Sequence, residues 1–255
     1  MRQLIVFLVL GIILVGLFQL SRLAQNWHYV VPSEPGKVIY AESFDDSGAD
    51  WALYESNTGN SAQVNAGVLR LFIGTQQAVF WSESTPYFSD FDFNVEAQPV
   101  ESSVDSPVES VYGVLFRQRD ISNFYAFFIS TDGYYKVIRV LDNVEHTISN
   151  WHISESIQMG NSVVNQIRVI GVDDTFQFFV NGDVIELCIP DDPANESTPL
   201  ETGECMDGSW QTTFVDDSLP VGHLAVALQS DPLPEMTVEF DNVVVYGPEP
   251  ISTTD

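Results

Sequence analysis

Basic and aromatic side chains are concentrated in one part of the sequence. Beyond residue 25 there are seven basic residues, and five of them lie between Arg117 and Arg168, in segments that also carry several tyrosines. Alternate residues of a β-strand share a face, so Arg117 would lie beside Arg119, and Tyr135 beside Arg139. Such a face can stack planar rings on sugar rings and bind hydroxyl groups or uronate carboxylates through guanidinium groups. The candidate ligand-binding residues are Arg117, Arg119, Tyr125, Tyr135 and Arg139.

A purely structural interpretation of these residues stays open at this point. The arginines would then pair with neighbouring carboxylates, and the tyrosines would fill the core and its rim. Trp81 and Trp151 are further candidates for stacking, although a half-buried tryptophan ordinarily packs against its neighbours. The two interpretations differ in whether these side chains face an open groove.

The two cysteines, Cys188 and Cys205, bracket a loop of 16 residues that has no hydrophobic periodicity. A disulfide across this loop would restrict the unfolded chain by about 3 kcal/mol in the entropy model. Two unrelated thiols are the alternative, because spacing alone does not establish pairing. A zinc site is less favoured, since no histidine near these cysteines completes a tetrahedron.

The pattern of apolar residues predicts strands. Residues 91–97 alternate apolar and polar side chains with a period of two, as in a strand with one exposed face. Asp132-Gly133 and Asn181-Gly182 separate apolar segments and tolerate the positive φ of tight hairpins. No segment of this region has the pattern of an amphipathic helix. About ten strands with such turns predict an all-β, two-sheet antiparallel sandwich or jelly roll.

The amino terminus carries a long apolar segment. Between Arg2 and Arg22 there are 19 uncharged residues, most of them strongly apolar from Leu4 to Leu20. At about 1.5 Å per residue, a helix of this length nearly matches a hydrocarbon core of about 30 Å. A transmembrane anchor is the favoured interpretation, and a cleaved signal peptide followed by secretion is the alternative. Either one places the rest of the chain outside the cytoplasm.

These features predict the domain organisation. Residues 1–25 form the anchor or signal peptide, 26–38 a stalk, 39–247 the sandwich and 248–255 a polar tail. The chain has 36 acidic against 9 basic residues and a net charge of −27, so it lacks the positive surface that nucleic-acid binding requires. The 45% content of hydrophobic residues is sufficient for one sizeable core.

A series of short motifs follows in order along the chain: Phe44–Asp46, Tyr112–Arg117, Asn123–Phe127, Asp132–Tyr135, Asn165–Val169, Phe179–Gly182 and Val238–Val243. Together they resemble the concanavalin A-like lectin/glucanase superfamily, and within it the laminin-G-like and 3-keto-disaccharide hydrolase-type domains. This resemblance implies a jelly roll with one concave sheet, and a role as a sugar binder, a glycosidase or a module with no small ligand.

The resemblance also suggests two sites that involve carboxylates. Sandwiches of this type place their first and last strands side by side, so Asp45, Asp46 and Asp241 could bind calcium; alternatively, Asp45 and Asp46 form a polar turn. Glucanases of this superfamily carry Glu-x-Asp-x-Glu on one strand. The nearest match here is Glu239-Phe240-Asp241, and its third acidic position is Val243. Whether the chain is an enzyme therefore stays open, and we lean towards a non-catalytic role.

The function predicted from the sequence is recognition of carbohydrate or another cell-surface ligand by an extracytoplasmic, membrane-anchored sandwich. The membrane is expected as a partner through the N-terminal helix, and nucleic acid is not. A glycoside hydrolase of the 3-keto-disaccharide hydrolase type is one alternative. A structural or adhesive module without a small ligand is the other.

Overall fold

The computed structural model describes residues 29–56, 59–75, 78–100, 110–230 and 235–251, together with residue 16. The chain divides into two compact units, residues 1–30 and 31–255. The predicted anchor, Leu4–Leu20, lies outside the described residues except for Gly16. In the parts that are described, no helix is long and apolar enough to cross a membrane. The anchor and the predicted domain boundaries therefore stay predictions.

Wherever residues 29–251 are described, they form strands and turns and no helix. The strands are β1 Val30–Val31, β2 Val38–Glu42, β3 Tyr54–Glu55, β4 Ser61–Asn65, β5 Val68–Ile73, β6 Ala78–Glu83, β7 Tyr87–Phe88, β8 Phe91–Pro99, β9 Val111–Asp120, β10 Asn123–Ser130, β11 Tyr134–Leu141, β12 Val144–Ile153, β13 Asn165–Val172, β14 Thr175–Val180, β15 Asp183–Val184, β16 Leu187–Pro190, β17 Gly208–Gln211, β18 Phe214–Val215, β19 His223–Ser230 and β20 Met236–Tyr246.

Most of these strands belong to two large antiparallel sheets. One has six strands in the order β12-β11-β10-β9-β19-β6. The other has ten: eight in the order β15-β14-β13-β8-β20-β5-β4-β3, with β18 beside β14 and β2 beside β20. The short hairpin β16–β17 forms a separate small sheet. The prediction of an all-β antiparallel architecture is confirmed.

Aromatic side chains from both large sheets form the core between them. Phe116 of the six-stranded sheet lies among Phe91, Phe176 and Phe178 of the ten-stranded sheet, with ring centroids 5.1 to 6.2 Å apart. All four rings are fully buried. Burying one such side chain contributes about 1.5–3 kcal/mol relative to leaving it exposed. The sheets thus pack as the two layers of a β-sandwich.

A β-bulge in β9 changes which face its last residues occupy. Asn123 of β10 pairs with Asp120, but Tyr125 pairs with Phe116, so β9 has two extra residues in this interval. Arg117 lies inside the bulge with φ of 50°, in the left-handed region. Because a bulge breaks the alternation of side chains, Arg117 follows Phe116 into the interior. The prediction that Arg117 and Arg119 share a strand face is wrong for this reason.

A disulfide closes the loop that follows β16. Cys188 and Cys205 are bonded, as predicted. The backbone N–H of Cys188 donates to Ser149 Oγ at 3.1 Å, and the N–H of Asn150 donates to Ser197 Oγ at 3.0 Å. The Ser197 hydroxyl in turn donates to the Cys188 carbonyl at 2.6 Å. The loop is therefore fastened to β12, the edge strand of the six-stranded sheet.

Replacing both cysteines, as Cys188→Ser with Cys205→Ser, is expected to lower the free energy of unfolding by about 3 kcal/mol, because the unfolded chain loses a constraint. Urea unfolding of the oxidised and doubly substituted proteins measures this difference. Proteolysis is expected to become faster within residues 189–204 and to stay unchanged in the two large sheets. Finding both thiols free in the purified wild-type protein by mass spectrometry would contradict the bond.

Candidate functional site

The outer face of the six-stranded sheet, here called the groove face, is apolar at its centre. It is the face turned away from the aromatic core, because its residues alternate with core residues along each strand. Trp81 on β6 and Trp151 on β12 pack against this centre from opposite sides. The central residues are buried: Leu115, Phe124, Ala126, Phe128, Ile138, Val140, Ala225 and Ala227. The open groove lined by tyrosine and arginine that the sequence predicted is not found at this centre.

An open cavity of about 460 Å³ lies at one end of the groove face, next to the turn between β10 and β11. It extends over five adjacent strands, which supply residues from β12, β11, β10, β9 and β19. We call it the groove cavity. Its lining residues are Val111, Ser130, Asp132, Tyr134, Lys136, Trp151 and Gln229.

The groove cavity combines ring surfaces with hydrogen-bonding groups. Tyr134 is 39% exposed, and Trp151 is half-buried. The side-chain carbonyl oxygen of Gln229 is buried and has no hydrogen-bond partner. Asp132 accepts a hydrogen bond from the Ser130 hydroxyl. Two aromatic rings beside a few polar groups are a typical arrangement for binding a small polar ligand that has an apolar face.

Arg117 lies in the core, with 1% of its surface exposed. Its guanidinium donates to the carbonyl oxygens of Leu219 at 3.0 Å and Asp173 at 2.9 Å, and it lies over the rings of Phe91 and Phe176. Burial lowers the pKa of Arg117, against the opposing effect of nearby acidic groups. An enclosed side chain cannot contact a ligand at the surface, so Arg117 does not line the groove cavity.

Tyr125 and Arg139 meet at Asp216, in the segment between β18 and β19. The Tyr125 hydroxyl donates to one oxygen of the Asp216 carboxylate, and Arg139 donates to the other. Burial, followed by the hydrogen bond and charge of Asp216, raises the pKa of Tyr125. Burial acts to raise the pKa of Asp216, but hydrogen bonds from Ser218 and Tyr125 and the charge of Arg139 hold it below its ordinary value.

The other two predicted residues lie apart from this cluster. Tyr135, at the opposite end of β11 from Arg139, is 3% exposed and donates its hydroxyl hydrogen to the Glu186 carbonyl. Burial raises the pKa of Tyr135. Arg119 is exposed and makes no ion pair with any residue that the structure describes. The structure therefore brings the buried Arg117 and Tyr125 and the partly exposed Arg139 towards the segment 216–219. It does not bring Tyr135 or Arg119 to them.

Tyr134 and Lys136 belong to the basic and aromatic region that the sequence singles out, and Trp151 is a further candidate for stacking, but none of the five predicted binding residues lines the groove cavity. On β11 the residues that line the groove cavity are the exposed Tyr134 and the partly buried Lys136, each one position away from the predicted Tyr135. The sequence did contain a signal that Tyr135 faces the core. Tyr135 and Val137 are two residues apart and therefore share a strand face, and Val137 is an apolar residue of the core. No sequence pattern indicated that Gln229 would line the cavity, since its position depends on the pairing of β19 with β9.

The carboxylates considered for glycoside hydrolysis lie away from the groove face. Glu239 is on β20 of the ten-stranded sheet, and its side chain accepts hydrogen bonds from Arg70. Asp241 lies on the same outer face of that sheet, two residues further along the strand.

The carboxylates considered for calcium are only partly brought together. The pKa of Asp241 is raised by burial and then by the negative charges of Glu96 and Asp45. Asp46 is exposed and lines a separate surface hollow beside Ser47. The parts of the chain that are described contain no group of three or more side chains suited to hold a metal ion. Calcium binding stays a prediction.

Comparison with known proteins identifies the fold. No family model matches the sequence, and no curated protein sequence matches it. Among solved structures, a protein of unknown function with a galectin-like fold from Bacillus subtilis is similar, with a TM-score of 0.53 and 13% identity over 85% of this chain and 98% of that one. The carbohydrate-binding module CBM66 from Bacillus subtilis has a TM-score of 0.50 at 10% identity, covering 84% of this chain and 99% of its own.

The β-glucanase of Bacillus licheniformis is similar to the same degree, with a TM-score of 0.50 and 10% identity over 84% of this chain and 99% of the enzyme. These structures share the concanavalin A-like jelly roll, and the fold predicted from the sequence motifs is confirmed. At such low identity the similarity is one of fold, and a fold of this kind serves both binding and hydrolysis.

The cluster around Asp216 leads to a prediction about stability. Asp216→Asn is expected to lower the free energy of unfolding at pH 7 by about 1–3 kcal/mol, because Arg139 and the Tyr125 hydroxyl lose a charged partner. The pKa of Asp216 lies below its ordinary 3.8, so this stabilisation is present above that pH and is lost as the pH falls through the folded-state pKa.

Chemical unfolding at several pH values tests this expectation. The difference between the wild type and Asp216→Asn should shrink as the pH falls below 3.8. Asp217→Asn, a substitution of the exposed neighbour, is the matched control and should change stability by less than about 0.5 kcal/mol. An equal loss in both variants, or a loss independent of pH, would show that the cluster does not stabilise the fold as described.

Proposed function

We propose that this chain is a carbohydrate-binding module and that the groove cavity is its binding site. The observation that carries the proposal is the groove cavity itself, in which the rings of Trp151 and Tyr134 lie beside the unpartnered Gln229 oxygen and the Asp132 carboxylate. A sugar ring has an apolar face that stacks on aromatic rings and hydroxyl groups that donate to such oxygens. The shared fold with CBM66 supports the same assignment.

The proposal moves the binding residues away from those that the sequence first suggested. Arg117 and Tyr125 serve the core, and Arg139 is held by Asp216, so none of these three is free to bind a ligand. The aromatic surface comes instead from Trp151 and Tyr134. This change keeps the predicted ligand class and replaces the predicted contacts.

We also propose that the module is held outside the cytoplasm by its N-terminal segment. The apolar segment Leu4–Leu20 and the disulfide support this location, since structural disulfides persist mainly in exported proteins. An uncleaved segment gives a membrane-anchored module, and a cleaved one gives a secreted module. Fractionation of the expressing cells distinguishes the two.

A structural or adhesive module without a small ligand is the second candidate. The observation in its favour is the ion pairing of the basic residues, because arginines engaged within the fold cannot serve a ligand. Six of the seven basic residues in the described part of the chain have an acidic partner. No comparable observation favours a glycoside hydrolase, which needs two carboxyl groups about 5.5 Å apart in the retaining mechanism.

A glycan array probed with the full chain, with and without calcium, is expected to retain a defined set of oligosaccharides. Trp151→Ala should weaken the best of these interactions at least about tenfold, equivalent to about 1.4 kcal/mol, because it removes the stacking surface. Tyr134→Ala should weaken it as well. Isothermal titration calorimetry gives the dissociation constants.

The matched control is Trp210→Ala, which removes a half-buried tryptophan from the β16–β17 hairpin, outside the groove cavity. It should leave saccharide affinity within about twofold of the wild type. Melting temperatures of all variants verify that folding is retained. Equal binding by the wild type and Trp151→Ala would refute the proposed site, and an array without any bound glycan would favour the structural module.

Fractionation is expected to recover the full chain in the membrane pellet after a carbonate wash, because an apolar helix of this length is not released by high pH. A variant that lacks residues 1–28 should be soluble. Cells that express the full-length chain could instead yield a soluble protein whose N-terminus lies beyond residue 20. That result would establish the cleaved, secreted form.

A further inference from the structure

The basic residues of this protein are almost all engaged within the fold. The chain carries a net charge of −27. Within the described residues, six ion pairs join Glu34, Glu239, Asp90, Glu145, Asp216 and Asp92 to six of the seven basic side chains. The surface that a ligand approaches therefore has a strongly negative potential, with little positive charge to offset it.

Inside the groove cavity, too, the basic side chain is engaged in an ion pair and an acidic side chain is not. Lys136 is the one basic side chain among the described residues that line it. Its ammonium nitrogen lies 2.8 Å from a carboxylate oxygen of Glu145, on the neighbouring strand β12. Asp132 also lines the cavity and forms no ion pair with a described residue. Counting the paired Lys136 and Glu145 as neutral, the cavity carries one net negative charge.

Two side chains of the cavity offer oxygens that can accept hydrogen bonds from a ligand. The buried Gln229 carbonyl oxygen lacks a donor, and the Asp132 carboxylate can accept further hydrogen bonds beyond the one from Ser130. Hydroxyl groups supply the donors that these oxygens need. A ligand carboxylate or sulfate supplies no donor to these oxygens. To form an ion pair with Lys136 it would have to displace Glu145, and otherwise its charge would lie beside the like charge of Asp132, which desolvation makes unfavourable.

Resting on the proposed function, we propose that the groove cavity selects neutral saccharides and rejects saccharides that carry carboxylate or sulfate groups. The determinant is Glu145, which holds the only cationic group lining the cavity in the described part of the chain. Glu145 thus acts as a specificity residue through Lys136. This assignment replaces the expectation from the sequence that arginines in the groove would bind uronate carboxylates.

The experiment uses the full chain and matched ligand pairs that differ only at C6. The probes are neutral gluco-, manno- and galacto-hexaoses and the uronate hexamers of the same linkage, with affinities measured by titration calorimetry in 50 mM and 500 mM NaCl. The neutral member of the bound pair should bind at least tenfold more tightly at low salt. The ratio should fall at high salt, because salt screens repulsion between charges.

The substitution Glu145→Gln tests the determinant. It releases Lys136, so the neutral-to-uronate affinity ratio should fall at least fivefold. Glu201→Gln makes the same change in net charge on the exposed disulfide loop and should leave the ratio at the wild-type value.

The possible failures are distinguishable. If a uronate hexamer binds as tightly as its neutral counterpart, or if Glu145→Gln leaves the ratio unchanged, the specificity assignment is wrong while carbohydrate binding stands. If neither the glycan array nor any hexaose of either kind shows binding, the proposed function itself fails, and the specificity assignment fails with it.

Discussion

Aromatic packing between the two sheets determines which side chains the six-stranded sheet can present to a ligand. Phe116 stacks on Tyr125 with ring centroids 5.2 Å apart, and Phe127 contacts Phe178 of the opposite sheet at 5.1 Å. Because strand residues alternate between faces, burying these rings also fixes which residues point outwards. A register shift of one residue in any of these strands would move its core side chains to the groove face and its groove-face side chains into the core.

The groove face that results differs from a polar sugar-binding sheet. Its centre is a second apolar cluster, and the polar groups of the groove cavity lie at the end beside the β10–β11 turn. Tyr134, Lys136 and Trp151 are presented there because their strand neighbours Tyr135 and His152 are turned towards the opposite side of the sheet. The proposed site is thus confined to one end of the groove face.

The sequence was informative about the fold and much less so about the site. Period-two alternation and the turn at Asp132-Gly133 were sufficient for the all-β architecture, since both depend on residues close together in the chain. The disulfide followed from a loop that cannot order itself by burial. The position of Arg117 could not be predicted, because the bulge that turns it inwards is a property of how β9 pairs with both β10 and β19. The ion pair between Arg139 and Asp216 likewise joins residues far apart in the sequence.

The account depends most on the claim that a saccharide occupies the groove cavity and contacts Trp151. The chain has five tryptophans, whose indole N–H groups give separate signals in a two-dimensional ¹⁵N NMR spectrum. During titration with the oligosaccharide retained most strongly on the array, the Trp151 signal should shift with the calorimetric dissociation constant, while those of Trp51 and Trp210 stay in place. A titration in which Trp210 shifts and Trp151 does not would contradict the account.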